Sequence, residues 1–104
     1  MIICLCGSTR FRTVFHELNR IETLRGNIVL TPGVFANDGD SITEVEKRAL
    51  DDLHLLKIDL ADNVLVVNPG GYIGDSTRRE IEYAQRAGKP VRYSHVNPSG
   101  DRSC

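Results

Sequence analysis

The run Gly70-Gly71-Tyr72-Ile73-Gly74-Asp75-Ser76-Thr77-Arg78-Arg79-Glu80-Ile81-Glu82-Tyr83-Ala84 holds the residues best suited to chemistry. It sets an acidic side chain, Glu80, one turn inside a helix that opens from a glycine-rich loop. Ser76 stands four positions before Glu80, and Tyr83 and Ala84 follow one turn later. One helical face would thus present a hydroxyl, a carboxylate and an aromatic ring. A carboxylate so placed can stabilise a developing positive charge or attack the centre that carries it. The plainer alternative is that Glu80 and Glu82 are solvated residues paired with Arg78, Arg79 and Arg86.

Two further segments could act with it. In Gly7-Ser8-Thr9-Arg10, small residues let backbone amides approach an anion, the following helix start is partially positive, and the Arg10 guanidinium can fork onto oxygens. Ser8 or Thr9 could equally be a helix cap. The segment from Ile42 to Ala61 carries Glu44, Lys47, Asp51 and His54 in its first half. His54 can carry a proton or simply pack or face solvent, with Asp51 beside it as a carboxylate. Asp59 and Asp62, at the far end, suit capping or pairing with Lys57. Tyr72 reads either as a stacking lid over a planar ligand or as a loop tyrosine packed on its own protein.

Alternating strands and helices must position these groups. Ile2 to Cys6 reads as a first strand, and Phe11, Val14, Phe15, Leu18 and Ile21 fall at helical spacing up to a stop at Gly26. Asn27 to Leu30 is a short second strand, followed by a loop from Thr31 to Asp40 whose Phe35 and Asn37 could contact a ligand. Ser41 and Glu44 suggest a capping box, and Ile42, Val45, Ala49, Leu53, Leu56 and Leu60 mark a long amphipathic helix. Asn63 to Val67 is a third strand, Asn68-Pro69-Gly70-Gly71 breaks it, and Asp75 or Ser76 can cap a third helix over Thr77 to Ala87. Gly88-Lys89-Pro90 turns into a fourth strand, Val91 to Ser94. Such a chain folds as an α/β protein, a three-layer flavodoxin- or Rossmann-like domain with a parallel sheet and right-handed crossovers. With strand order 2-1-3-4 the topological switch lies between strands one and three, and the two glycine-containing loops face each other there.

At 104 residues, 40% hydrophobic and 26% charged, the chain has the composition of one ordinary globular domain. Residues 1–94 form it, and 95–104 read as a polar tail. A net charge of −1 makes no electrostatic case for nucleic-acid binding. No apolar segment nears the roughly 20 residues of a membrane span, and Met1-Ile2-Ile3-Cys4 lacks the basic flank of a signal peptide. A cytoplasmic chain is expected. Cys4 and Cys6 point to one face of the first strand and Cys104 lies in the tail; free thiols are expected. No second Cys/His pair completes a metal site, so none is expected.

The segments Ile3-Cys4-Leu5-Cys6-Gly7-Ser8-Thr9-Arg10, Ala61-Asp62, Gly74 to Ala84 and Gly88-Lys89-Pro90-Val91 resemble the nucleoside 2-deoxyribosyltransferase superfamily. The resemblance runs in order through residues 2–93 and is nearest to the small members. That superfamily includes 2'-deoxynucleoside 5'-phosphate N-hydrolases, which share a Gly-Ser-x-Arg start. It implies that Glu80 is a nucleophile on the anomeric carbon of a nucleoside or its 5'-monophosphate, that Ser76 and Gly74 hold sugar or phosphate, and that no cofactor is required. Such a carboxylate answers the oxocarbenium character of glycosidic cleavage. The nucleotide hydrolases carry an aspartate on the second helix, and His54 occupies that position here. A nucleotide-binding or sensing domain without competent acid chemistry is therefore the alternative. An exposed sheet edge and a long second helix imply a homodimer or higher oligomer.

Overall fold

The computed structural model describes residues 1–35 and 41–95. Four strands, β1 (Ile2–Gly7), β2 (Ile28–Leu30), β3 (Asn63–Val67) and β4 (Val91–Tyr93), alternate with three helices, α1 (Arg12–Leu24), α2 (Glu44–Leu60) and α3 (Asp75–Arg86). The strands form one parallel sheet in the order β2-β1-β3-β4. The sheet is therefore the expected α/β arrangement, with β1 and β3 central. Both central strands are apolar runs buried on both faces, as parallel strands covered by helices must be.

Alternation along β1 and β3 divides the core in two. Ile3, Leu5, Leu65 and Val67 meet Phe15 of α1, with Val14 and Leu18 packed alongside. Cys4, Cys6, Val64 and Val66 face the other way, against Ile58 of α2 and Ile81 and Ala84 of α3. One helix on one face and two on the other complete the three layers. On α1 the expected stripe faces the sheet, and Glu22 joins it as a buried charge. Its carboxylate is held by Arg25 at 3.2 Å and by the Asn27 side-chain amide at 3.0 Å.

Helix α2 departs from its sequence reading. The capping box is Thr43 and Glu46, not Ser41 and Glu44: the Thr43 hydroxyl accepts from the Glu46 amide at 3.0 Å and the Glu46 carboxylate accepts from the Thr43 amide at 2.9 Å. The expected apolar row turns outward, with Val45 74%, Leu56 57% and Leu60 67% exposed. The helix instead buries His54 and Ile58, with Leu55 packed against the core.

Its C-terminal end is tied down by polar contacts. Lys89 Nζ donates to the Asp59 and Ala61 carbonyls at 3.2 and 2.9 Å, satisfying acceptors that a helix end leaves open. The Tyr83 hydroxyl donates to the Asp59 carboxylate at 2.8 Å, joining α3 to α2. Asp62 accepts from the Ile2 amide at 2.7 Å, while Lys57 reaches the Thr31 carbonyl at 2.8 Å and not the aspartates. Asp59 and Asp62 are thus structural.

Gly7 ends β1 beside Val67 of β3. A Cβ there would lie 2.6 Å from the Val67 carbonyl oxygen and 3.0 Å from Val67 Cβ. Because that neighbour is backbone of a buried strand, it cannot give way cheaply. Gly7→Ala is expected to cost about 1–3 kcal/mol, the range for overpacking a tight core, read as a lower urea midpoint with an unchanged m-value.

Candidate functional site

A cavity of about 430 Å³ opens at the carboxyl ends of β1 and β3, where the strand order reverses. That volume lies in the range of small-molecule sites, and the position is where open α/β sheets bind ligands. Gly7, Ser8 and Thr9 contribute from the loop after β1, Tyr72 to Thr77 without Ile73 from the loop and first turn of α3, and Lys47, Asp51, His54 and Lys57 from α2. Glu80 completes the lining. Pro32, Gly33 and Val34 close it from the segment after β2.

Local sequence explains how the walls form. Asn68 is fully buried, and its side-chain oxygen accepts from the His95 amide at 3.0 Å, which fixes the exit of β3 to the end of β4. Gly70 and Gly71, with φ of 66° and 79°, then turn the chain through a tight kink in left-handed backbone that favours glycine. Helix α3 begins at Asp75 with Gly74 as its N-cap, and no side chain caps it. Neither Asp75 nor Ser76 therefore acts as the cap expected from sequence. Gly74, Asp75, Ser76 and Thr77, the start of α3, line the cavity wall instead.

At the cavity floor His54 is 6% exposed and the Glu80 side chain 14%. His54 Nε2 lies 3.9 Å from Glu80 Oε1, 3.3 Å from Cys6 Sγ and 3.6 Å from Cys4 Sγ. Both thiols are free and buried, as expected for alternate positions on a covered strand. Cys104 and Asn37 lie outside the described residues, as does all of the 95–104 tail except His95.

The four groups set one another's charge. The hydrogen bond shared with Cys6 holds Cys4 down at about 5 against the pull of burial, with His54 assisting. Cys6 is correspondingly pushed up by its bond to Cys4 and by burial. Burial disfavours the His54 imidazolium, yet the bond and charge of Cys4 and the charge of Glu80 outweigh it and raise His54 above its ordinary value. Burial likewise pushes Glu80 up, while the His54 charge partly restrains it. The four groups thus titrate as one coupled cluster in a dry place.

Of the residues singled out in the sequence, Glu80, His54, Asp51, Gly7, Ser8, Thr9, Tyr72, Gly74 and Ser76 line this cavity. Arg10 does not. Its guanidinium lies 4.3 Å above the Tyr72 ring and donates to the Tyr72 hydroxyl at 3.3 Å, with Phe11 edge-on to the same ring. Ser8 both lines the cavity and caps the turn after β1 by accepting from the Arg10 amide at 3.3 Å. Tyr83 reaches Asp59 and does not line this cavity, but with Ser76 and Glu80 it lines a second, adjoining pocket between α2 and α3, so the expected hydroxyl, carboxylate and aromatic do share one helical face; Ala84 is in the core. Phe35 packs on Phe15 and His16 beside α1. Arg78 and Arg79 meet Asp75 and Ser76, leaving Glu80 to His54.

Sequence reasoning missed the meeting of Cys4 and Cys6 with His54, and the buried, cavity-lining Thr77. No family model matches the chain, and no curated protein matches it. Among the described residues, no helix is long and apolar enough to cross a membrane.

The charge sharing has a measurable signature. In NMR titration His54 is expected to lose its proton above the ordinary histidine range. In the Cys4→Ala/Cys6→Ala double variant, where burial is opposed only by Glu80, the midpoint should move down. An unmoved midpoint would show that the thiols do not hold the imidazolium.

Proposed function

We propose that this chain cleaves or transfers the N-glycosidic bond of a (deoxy)nucleoside or its 5'-monophosphate, with Glu80 as the nucleophile. The observation that carries the reading is a poorly hydrated carboxylate at the floor of a ligand-sized cavity, placed at the switch point between two glycine-containing loops. The resemblance of those loops to the nucleoside 2-deoxyribosyltransferase superfamily supports it.

In this reading the sugar lies over Glu80. A Glu80 oxygen forms a bond to the anomeric carbon as the bond from that carbon to the base nitrogen breaks, and the base leaves with the electron pair. The departing nitrogen takes a proton delivered at Asp51, which lines the wall one turn before His54. Water, or a second base, then attacks the anomeric carbon, gives up its proton to the Asp51 carboxylate left by the first step, and releases Glu80 as the bond from its oxygen to that carbon breaks. His54 is a positioning residue here, because its Nε2 faces the thiols and Glu80 rather than a departing base. It balances the carboxylate charge and fixes its orientation.

The remaining walls suit the rest of the substrate. Ser76, Gly74 and the uncapped first turn of α3 offer a hydroxyl and backbone amides to sugar hydroxyls or a 5'-phosphate. Ser8 and Thr9 stand opposite. Tyr72, 41% exposed and backed by Arg10 and Phe11, offers a flat, braced surface to the base. No cofactor enters the chemistry as written.

The test is chromatographic detection of free base after incubation with deoxynucleosides, ribonucleosides and their 5'-monophosphates, with and without a second acceptor base. Glu80→Ala should abolish release, and Asp51→Asn should reduce it by on the order of 100-fold or more, the usual scale of general acid catalysis. Saturable binding of a nucleotide with no base released would replace this reading by a nucleotide-binding or sensing domain.

A homodimer or higher oligomer is part of the proposal, supported by the exposed apolar residues Val45, Leu56 and Leu60 on α2. Sedimentation equilibrium should give at least twice the 11.6 kDa chain mass, and Leu56→Glu should reduce it to one chain. A monomer in the unsubstituted protein would contradict the proposal.

A further inference from the structure

We propose that Cys4, Cys6, His54 and Glu80 form a binding site for a thiophilic divalent cation, Zn²⁺ by chemical class, at the floor of the cavity. The inference goes beyond the glycosidic reading and does not depend on it. It rests on donor type and spacing. Two sulfurs and one imidazole nitrogen lie within 4.8 Å of one another, and all three residues are buried. Tetrahedral Zn²⁺ with bonds of about 2.3 Å to sulfur and about 2.0–2.1 Å to nitrogen requires sulfur–nitrogen edges of roughly 3.5–3.6 Å. The observed edges from His54 Nε2 are 3.6 Å to Cys4 Sγ and 3.3 Å to Cys6 Sγ.

The fourth corner is supplied by Glu80. Its Oε1 is 3.9 Å from the same His54 nitrogen, and Glu80 lines the cavity, so the carboxylate approaches the cluster from the cavity side. An edge between nitrogen and oxygen ligands is roughly 3.3 Å in a tetrahedral site; Glu80 is not among the groups already within 4.8 Å of one another, so its side chain must swing toward the sulfurs to close the fourth corner. The sulfurs lie behind and His54 and Glu80 line the cavity, which gives the ion an entry path. Two thiolates with one imidazole select zinc-like ions over the hard cations Mg²⁺ and Ca²⁺, which take oxygen ligands.

The elements are rigid enough to hold such a site. Both cysteines sit on a central strand paired on both sides, His54 on a helix clamped at its C-terminal end by Lys89, and Glu80 on the helix joined to it through Tyr83 and Asp59. A bound ion would occupy Glu80 and His54, so metal and sugar would compete for the same carboxylate.

The experiment uses the full chain, reduced and stripped with EDTA, and titrated with Co²⁺ and then Zn²⁺ without any substrate. One equivalent of Co²⁺ should produce a near-ultraviolet thiolate-to-cobalt band and intense visible bands of tetrahedral Co²⁺, both abolished by one equivalent of Zn²⁺. Cys4→Ala and Cys6→Ala should each weaken the thiolate band and lower Zn²⁺ affinity by on the order of 100-fold or more, at least what losing an outer-shell partner costs. Glu80→Gln should keep the thiolate band and bind more weakly. Circular dichroism and thermal melts establish that each variant is folded, and Zn²⁺ should raise the melting temperature of the unsubstituted chain but not of the cysteine variants. Weak octahedral Co²⁺ spectra, or Zn²⁺ affinity unchanged in folded cysteine variants, would overturn the site whatever the outcome of the base-release assay.

Discussion

A carboxylate and an imidazole buried together against a central strand are the constraint on which the rest of the structure depends. An isolated charge at the depth of Glu80 or His54 is costly, and the cost is tolerable only when each group has partners. Here the partners come from four places in the chain: Cys4 and Cys6 on β1, His54 on α2 and Glu80 on α3. Their meeting requires that β1 be central, that its odd and even residues face opposite layers, and that α2 and α3 cover the same face. The fold satisfies each of these conditions.

The contacts that hold α2 to α3 lie at the opposite end from the chemistry. Lys89 caps the end of α2, Tyr83 reaches Asp59, and Asp62 holds the start of β1. Anchored there, the helices carry His54 and Glu80 to the floor of the cavity, while the capping box at Thr43 starts α2 next to Ile42, which lines the same cavity. The loops obey a similar division of labour. Gly7 exists for strand packing, and its effect on the cavity is indirect. Arg10 is used to brace Tyr72, and the cations that line the cavity are Lys47, paired with Asp51, and Lys57, bound to the Thr31 carbonyl.

The sheet and its order were legible because their signals are local and redundant. Val64 to Val67 and Ile3 to Cys6 are uninterrupted apolar runs, glycines stop the helices at Gly26 and Gly88, and strands alternating with helices admit few topologies. The face of α2 was not legible. By hydrophobicity alone the row Val45, Ala49, Leu53, Leu56 and Leu60 outranks the row containing His54 and Ile58, yet the second is buried. A histidine is drawn inward by thiols and a carboxylate that lie far away in sequence, and no helical periodicity encodes them. For the same reason the two cysteines read as isolated thiols until β1 and α2 were brought together. Glu80 was recognisable from its place after a glycine-rich loop, whereas Tyr83, on a neighbouring position, went to Asp59.

Glu80 is central both to the glycosidic reading and to the ligand chemistry of the cluster, so its role as nucleophile is the claim to examine most directly. The decisive measurement is peptide mass spectrometry of the chain after incubation with a nucleoside analogue bearing a 2-fluoro sugar, which slows breakdown of a glycosyl ester. A sugar adduct on the peptide containing Glu80, absent from Glu80→Gln, is the predicted result. Base release with no adduct there, or an adduct on another residue, would contradict the account.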